Sequence, residues 1–269
     1  MRYLVLSVLA AFILTLAAAP LYGHQEIQVR EAATVEVVSE NGGVFLSIPH
    51  KDFTKGGTRI IKKYLEARKG EGYGIVIHNM TPGRIGVVIA VDGRNIISGK
   101  KSYLRNNDEM YILNGYEQAS YDGWRTDSDT VHSFYFTDMA DSYSVRTFED
   151  YTAMGVIAVA VYREKERPQP LYQSKRLQPS AGTPSADSSV GGKSAMEKSA
   201  GTGFGDEQYS PVVKVAFEPA GVPLQKTLVK YEWREVLCEK GILNCRHETR
   251  NRLWDRDGYA PYPPGYPER

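Results

Sequence analysis

Between Tyr73 and Tyr162, short runs of β-branched and aromatic residues recur, each closed by a turn dipeptide, and helical periodicity is missing throughout. Such a stretch folds only by pairing its runs with one another. Tyr73, Ile75 and Ile77 alternate with Gly74, Val76 and His78; Thr81-Pro82-Gly83 then turns the chain into Ile85-Gly86-Val87-Val88-Ile89-Ala90-Val91. Asp92-Gly93 turns it again into Asn95-Ile96-Ile97-Ser98. Met110 to Leu113 and Tyr116 to Ser120 flank Asn114-Gly115, a short-hairpin signal, and Val131 to Thr137 and Gly155 to Tyr162 complete the set.

The flanks add to this core. Thr34 to Val38 and Val44 to Ile48 read as a hairpin across Glu40-Asn41-Gly42-Gly43, and a third strand runs from Arg59 to Ala67. From Glu164 to Gly203 the composition shifts to Pro, Ser, Gly, Lys and Gln, with too little apolar surface to offset the entropy of ordering. Pro211 to Phe217 then reads as a strand and Leu224 to Lys240 as a helix, with Val229, Trp233, Val236 and Leu237 on one face. Gly241 closes it, and a Cys238–Cys245 bridge pins the reversed chain. The fold expected is mainly β, an antiparallel β-sandwich with a linker-connected C-terminal strand and α-helix. Its divisions are a signal peptide (1–23), a β-sandwich domain (24–163), a flexible linker (164–203), a strand-helix segment with the disulfide (204–250) and a Pro/Tyr-rich tail (251–269).

Arg2, the apolar run Tyr3 to Ala19 and Pro20-Leu21-Tyr22-Gly23 have the layout of a secretory signal, with cleavage before His24; the alternative is retention as an anchor. Processing would leave no stable transmembrane segment and a periplasmic or extracellular protein. Two cysteines close together suit an oxidising compartment. A formal net charge of +1 excludes a nucleic-acid partner that is bound by neutralising many phosphates.

No catalytic constellation emerges. There is no Gly-x-Ser-x-Gly elbow, and both cysteines are committed to each other. Gly191-Gly192-Lys193-Ser194 lacks the leading glycine of a phosphate loop, and Gly201-Thr202-Gly203-Phe204-Gly205 does not join a buried strand to a helix. His132 lies in an apolar run and reads as a packed, hydrogen-bonded side chain. Asp92, Asp138, Asp141 and Asp150 have no EF-hand spacing and read as turn caps. The remaining metal idea is His24, whose amino terminus and imidazole would chelate copper together with a second histidine, from His50, His78, His132 or His247, if processing exposes them.

Several stretches resemble a family of uncharacterised bacterial exported proteins: Val91-Asp92-Gly93-Arg94-Asn95, Gly123-Trp124-Arg125, Asp141 to Thr147 and Gly155 to Val161, with Gly201-Thr202-Gly203 and Ser210-Pro211-Val212 resembling its second segment. The resemblance implies export and a β core, and carries no activity or site residues.

Eighteen tyrosines and three tryptophans favour binding, because flat aromatic faces suit sugar rings and peptides. Strict strand alternation places loops 80–84, 99–109 and 122–130 at one end, and loops 92–94, 114–115 and 138–153 at the other. The first end mixes both charge signs with Tyr103, Trp124 and Arg125, the candidate ligand-binding residues; the second is an acidic pole, with Asp138 and Asp141 as the next place to look. Trp124 has a competing reading as a plug of the core after the Gly123 bend. The function expected is an exported, non-catalytic envelope or extracellular binding or structural protein, with an envelope protein or glycan as partner and no cofactor. The alternative is a secreted copper-dependent enzyme, built on His24, acting on polysaccharide.

Overall fold

In a computed structural model of the chain, residues 31–165 and 199–245 are described, and they build two β-sheets packed face to face. The strands are β1 (Ala33–Ser39), β2 (Ser47–Lys55), β3 (Thr58–Ala67), β4 (Gly72–Asn79), β5 (Ile85–Val91), β6 (Arg94–Asn95), β7 (Tyr111–Leu113), β8 (Gln118–Tyr121) and β9 (Gly123–Arg125). They continue with β10 (Thr130–Asp138), β11 (Val156–Arg163), β12 (Ala200–Thr202), β13 (Glu207–Tyr209) and β14 (Gln225–Trp233). Two short helices, α1 (Tyr143–Phe148) and α2 (Arg234–Glu239), lie in the connections. One sheet runs β1-β4-β10-β12, with β8 on β4 and β9 and β13 on β10; the other runs β2-β3-β14-β11-β5-β6, with β7 on β5.

The sandwich expected from the alternating runs is the observed architecture. Its core is the set of inward positions at period two: Ile85, Val87, Ile89 and Val91 of β5 meet Ile75, Ile77, Phe134 and Phe136 of the facing sheet. Tyr73 stacks on Phe136 at 4.3 Å between ring centres, and Phe136 contacts Tyr231 across the layer at 5.1 Å. β5 is buried on both faces, because Leu104 and Met110 cover Val88, Ala160 and Tyr162 on its outer side.

Where the chain crosses between sheets, local turn signals misassign partners. Val38 and Val44 make a single bridge, after which the chain leaves β1 and Ser47–Lys55 pairs with β3 in the other sheet. Asn114-Gly115 closes no hairpin: β7 pairs with β5 and β8 with β4, in opposite layers. Asn95 to Ser98 is not a strand beyond Asn95, because the Asn95 Oδ1 turns the chain by accepting the N–H groups of Ile97 and Ser98.

The helix expected over Leu224 to Lys240 is mostly strand. β14 runs parallel to β3 and antiparallel to β11, filling the gap between them, and helix is confined to α2. Gln225, Thr227, Val229 and Tyr231 all point into the core, a period of two disguised by polar residues at two inward positions. Those polar groups are satisfied. The Gln225 amide donates to Ala33 O and to Thr227 Oγ1, and its Oε1 accepts from Ala32 N. At the end of α2, Cys238 and Cys245 form the expected disulfide, with Cα atoms 5.5 Å apart.

The C-terminal segment is thus part of the sandwich, not an appendage. β12, at the end of the supposed linker, is fully buried beside β10. Pro211 to Phe217 is extended but belongs to neither sheet. The signal segment, His24, residues 166–198 and the Pro/Tyr-rich tail lie outside the described residues. No helix among the described residues is long and apolar enough to cross a membrane.

Candidate functional site

The three side chains selected from the sequence part company. Trp124 is 2% exposed, packed edge-on against Phe134 at 5.2 Å and tilted on Tyr143 at 4.6 Å. Its indole N–H donates to Gly203 O at 2.9 Å, which satisfies the one polar atom of a core ring. It offers no face to a ligand. Tyr103 is 60% exposed beside Arg105, following Ser102, whose N–H bonds Gly93 O next to the β5–β6 turn.

Arg125 does line a concave site. Its Nε donates to Tyr111 Oη at 2.8 Å, and its Nη1 to Ser210 O at 2.8 Å, so one guanidinium ties β7 to the chain entering Pro211–Phe217. Burial raises the Tyr111 phenol above its ordinary pKa, and the Arg125 partner opposes that shift. Between these ties lies an open groove of about 1390 Å³, walled by Met110, Tyr111 and Ile112 on one side and by Val213, Val215 and Phe217 on the other. Beneath Met110 and Phe217 lies Gly86 of β5: a Cβ there would collide with Met110 Sδ and the Phe217 ring, so both side chains sit directly on the sheet. The Arg84 guanidinium lies 5.6 Å from the centre of the Phe217 ring and donates to Ala216 O, fixing the far end. Charged side chains of both signs, including Lys214, Asp108, Glu109 and Asp127, line the groove together with the apolar ones.

This mixed end is composed differently from the arrangement that strand alternation gives. Loop 114–115 lies beside loop 80–84: Asn79 Nδ2 donates both to Gly83 O and to Asn114 O. Lys101 lies at the opposite end, 3.6 Å from Asp150. The cause is that Asn95 to Ser98 does not cross the sheet: β6 is two residues long, Lys101 stays beside Arg94, and β7 then runs antiparallel to β5 with Leu113 opposite Ile85, which returns the chain to the end of loop 80–84.

The supposed acidic pole is largely neutralised. Asp150 pairs with Arg94 at 2.8 Å, and its pKa is lowered, burial opposing the hydrogen bonds from Thr152 and the nearby Lys101 and Arg94 charges that lower it. Asp138 pairs with Lys69. Asp92 is fully buried and accepts from Gly155 N, Thr202 N and Tyr231 Oη at 2.7, 2.7 and 2.6 Å. Burial drives its pKa up to about 6 against the pull of those donors. Thr202 Oγ1 stands 2.7 Å from both Tyr73 Oη and Tyr231 Oη, so one polar hub ties the two sheets.

Gly201-Thr202-Gly203-Phe204-Gly205 thus belongs to the structure: Thr202 completes the hub, and Phe204 stacks on His132 at 4.2 Å. His132 is packed as expected, with Nδ1 3.0 Å from Gly205 O. No group of three or more His, Cys, Asp or Glu side chains suited to a metal ion occurs among the described residues. The groove escaped the sequence because its walls come from segments a hundred residues apart; the local signals were Arg125 and the β-forming run Pro211 to Phe217. Searches of protein-family models, curated proteins and solved structures find no match to the chain.

Proposed function

We propose that this chain is an exported, non-catalytic binding protein that holds its ligand in the groove between β7 and Pro211–Phe217. The observation that carries the reading is the Arg125 tie. A guanidinium fixed by Tyr111 and Ser210 organises a slot lined by apolar and charged side chains, the composition of a recognition site. The signal-like N-terminus and the paired cysteines support export into an oxidising envelope compartment.

The test uses the processed protein, whose intact mass should begin at His24, immobilised and exposed to an envelope extract. Wild type should retain a defined partner, and Arg125→Ala and Val213→Glu should each lose it, Val213→Glu with the wild-type melting profile because that side chain is 84% exposed. Retention of the same partner by both variants would remove the groove as the site.

A further inference from the structure

The run Pro-Val-Val-Lys-Val-Ala-Phe is strong strand sequence, yet it pairs with no strand among the described residues. The N–H groups of Val213, Lys214, Val215, Ala216 and Phe217 donate to no described residue, although the segment is held at its ends by Val212 N to Ser128 O and Arg84 to Ala216 O. Val213 and Val215 are 84% and 55% exposed, with Lys214 between them. An extended edge with free backbone donors and exposed β-branched side chains is a template for one more strand.

We infer that the occupant of the groove is an extended segment of another protein, added as a β-strand along Val212–Phe217, with an acidic side chain opposite Lys214 and apolar ones opposite Val213 and Val215. This deepens the binding reading above and rests on it. Two other occupants fit less well. A second copy paired antiparallel about the same segment would set Lys214 against Lys214, a like-charge pair that disfavours the ladder. The chain's own continuation past Lys165 starts beside Glu218, in the register that sets Glu164 against Pro219. Extended in that register, it would set Pro168 and Pro170 against Val215 and Val213, where cross-strand packing favours β-branched or aromatic partners. A foreign strand with apolar–acidic–apolar alternation suffers neither defect.

The probe is the capped pentapeptide Ser-Ile-Glu-Val-Thr, titrated into isotope-labelled processed protein and followed by amide chemical shifts. Shifts should concentrate in residues 212–217 and 109–112. Replacing Glu by Lys in the peptide should weaken binding about two- to fivefold, the range of a cross-strand charge pair, and Lys214→Glu in the protein should reverse that order. N-methylation of the peptide backbone should abolish the shifts. Equal affinity for both peptides, or shifts outside the groove, would overturn the inference. So would a dimer by sedimentation that Val213→Asp dissolves, or much tighter peptide binding once residues 166–198 are replaced by a Gly-Ser linker. Should envelope partner capture depend on Arg125 while the peptide fails, the groove stands as the site and the strand mode alone is lost.

Discussion

Asp92 and Trp124 show how far a side chain's role depends on what surrounds it. Both sit at turn or bend signals and both carry polar atoms, yet each is enclosed and hydrogen-bonded. Trp124→Ala should therefore cost about 3 to 5 kcal/mol, the price of a large buried cavity, read as a shift in the denaturant midpoint. Asp92 makes a pH prediction. Its folded pKa of about 6 lies above the ordinary value of 3.8, so between those values the folded chain binds more protons than the unfolded one. Its contribution to stability is fully present below pH 3.8 and is lost as pH rises through 6, about 3 kcal/mol for that separation at 1.36 kcal/mol per unit. Asp92→Asn should abolish this dependence. It should also destabilise at every pH by about 1 to 3 kcal/mol, because an amide donor turned toward Thr202 N leaves that N–H without an acceptor. Denaturant titrations of both proteins from pH 4 to 7 check the two effects.

At the scale of elements, β14 and α2 divide a stretch that helical spacing joins. The bridge between Cys238 and Cys245 closes a short loop at the end of α2, outside the inter-sheet core. Its contribution is about 2.5 kcal/mol in the chain-entropy picture. Replacing both cysteines by serine should accelerate hydrogen exchange in Arg234–Glu239 and leave the amides of β5 and β11 protected; loss of protection throughout the sheet would show that α2 is integral to the core.

For the whole molecule, strand order matters more than chain order. β14 stands between β3 and β11, and β12 lies against β10, so both sheets draw on residues on either side of 166–198. A fragment ending at residue 165 would leave the edges of β3 and β11 bare along a gap one strand wide. Expressed alone it should lack native chemical-shift dispersion, whereas adding residues 199–269 should restore it. Equally, the full chain cut at an engineered protease site between 170 and 195 should elute as one species. Separation of the two pieces in native buffer would contradict the interleaved topology.

Periodicity along β1, β3, β4 and β10, and the continuous apolar runs of β5 and β11, settle that these residues are strands, since a period of two or a short β-branched run is a local property of the pleated chain. The disulfide was legible for the same reason: its partners are neighbours in sequence. Sheet membership was not. Nothing in Asn114-Gly115 or in the turn after Val38 distinguishes a hairpin from a crossing between layers, because both need the same backbone turn. Polar Gln225 and Thr227 concealed β14: the Gln225 amide is satisfied by Ala33 far along the chain, and Thr227 Oγ1 accepts from that same amide, so the pair is buried only once β1 is in place. The groove needs Arg125, Tyr111, Gly86 and Val213 brought together by pairings remote in sequence. Local chemistry could nominate Arg125 and the run from Pro211 to Phe217; only the packing of two sheets could make them the walls of one site.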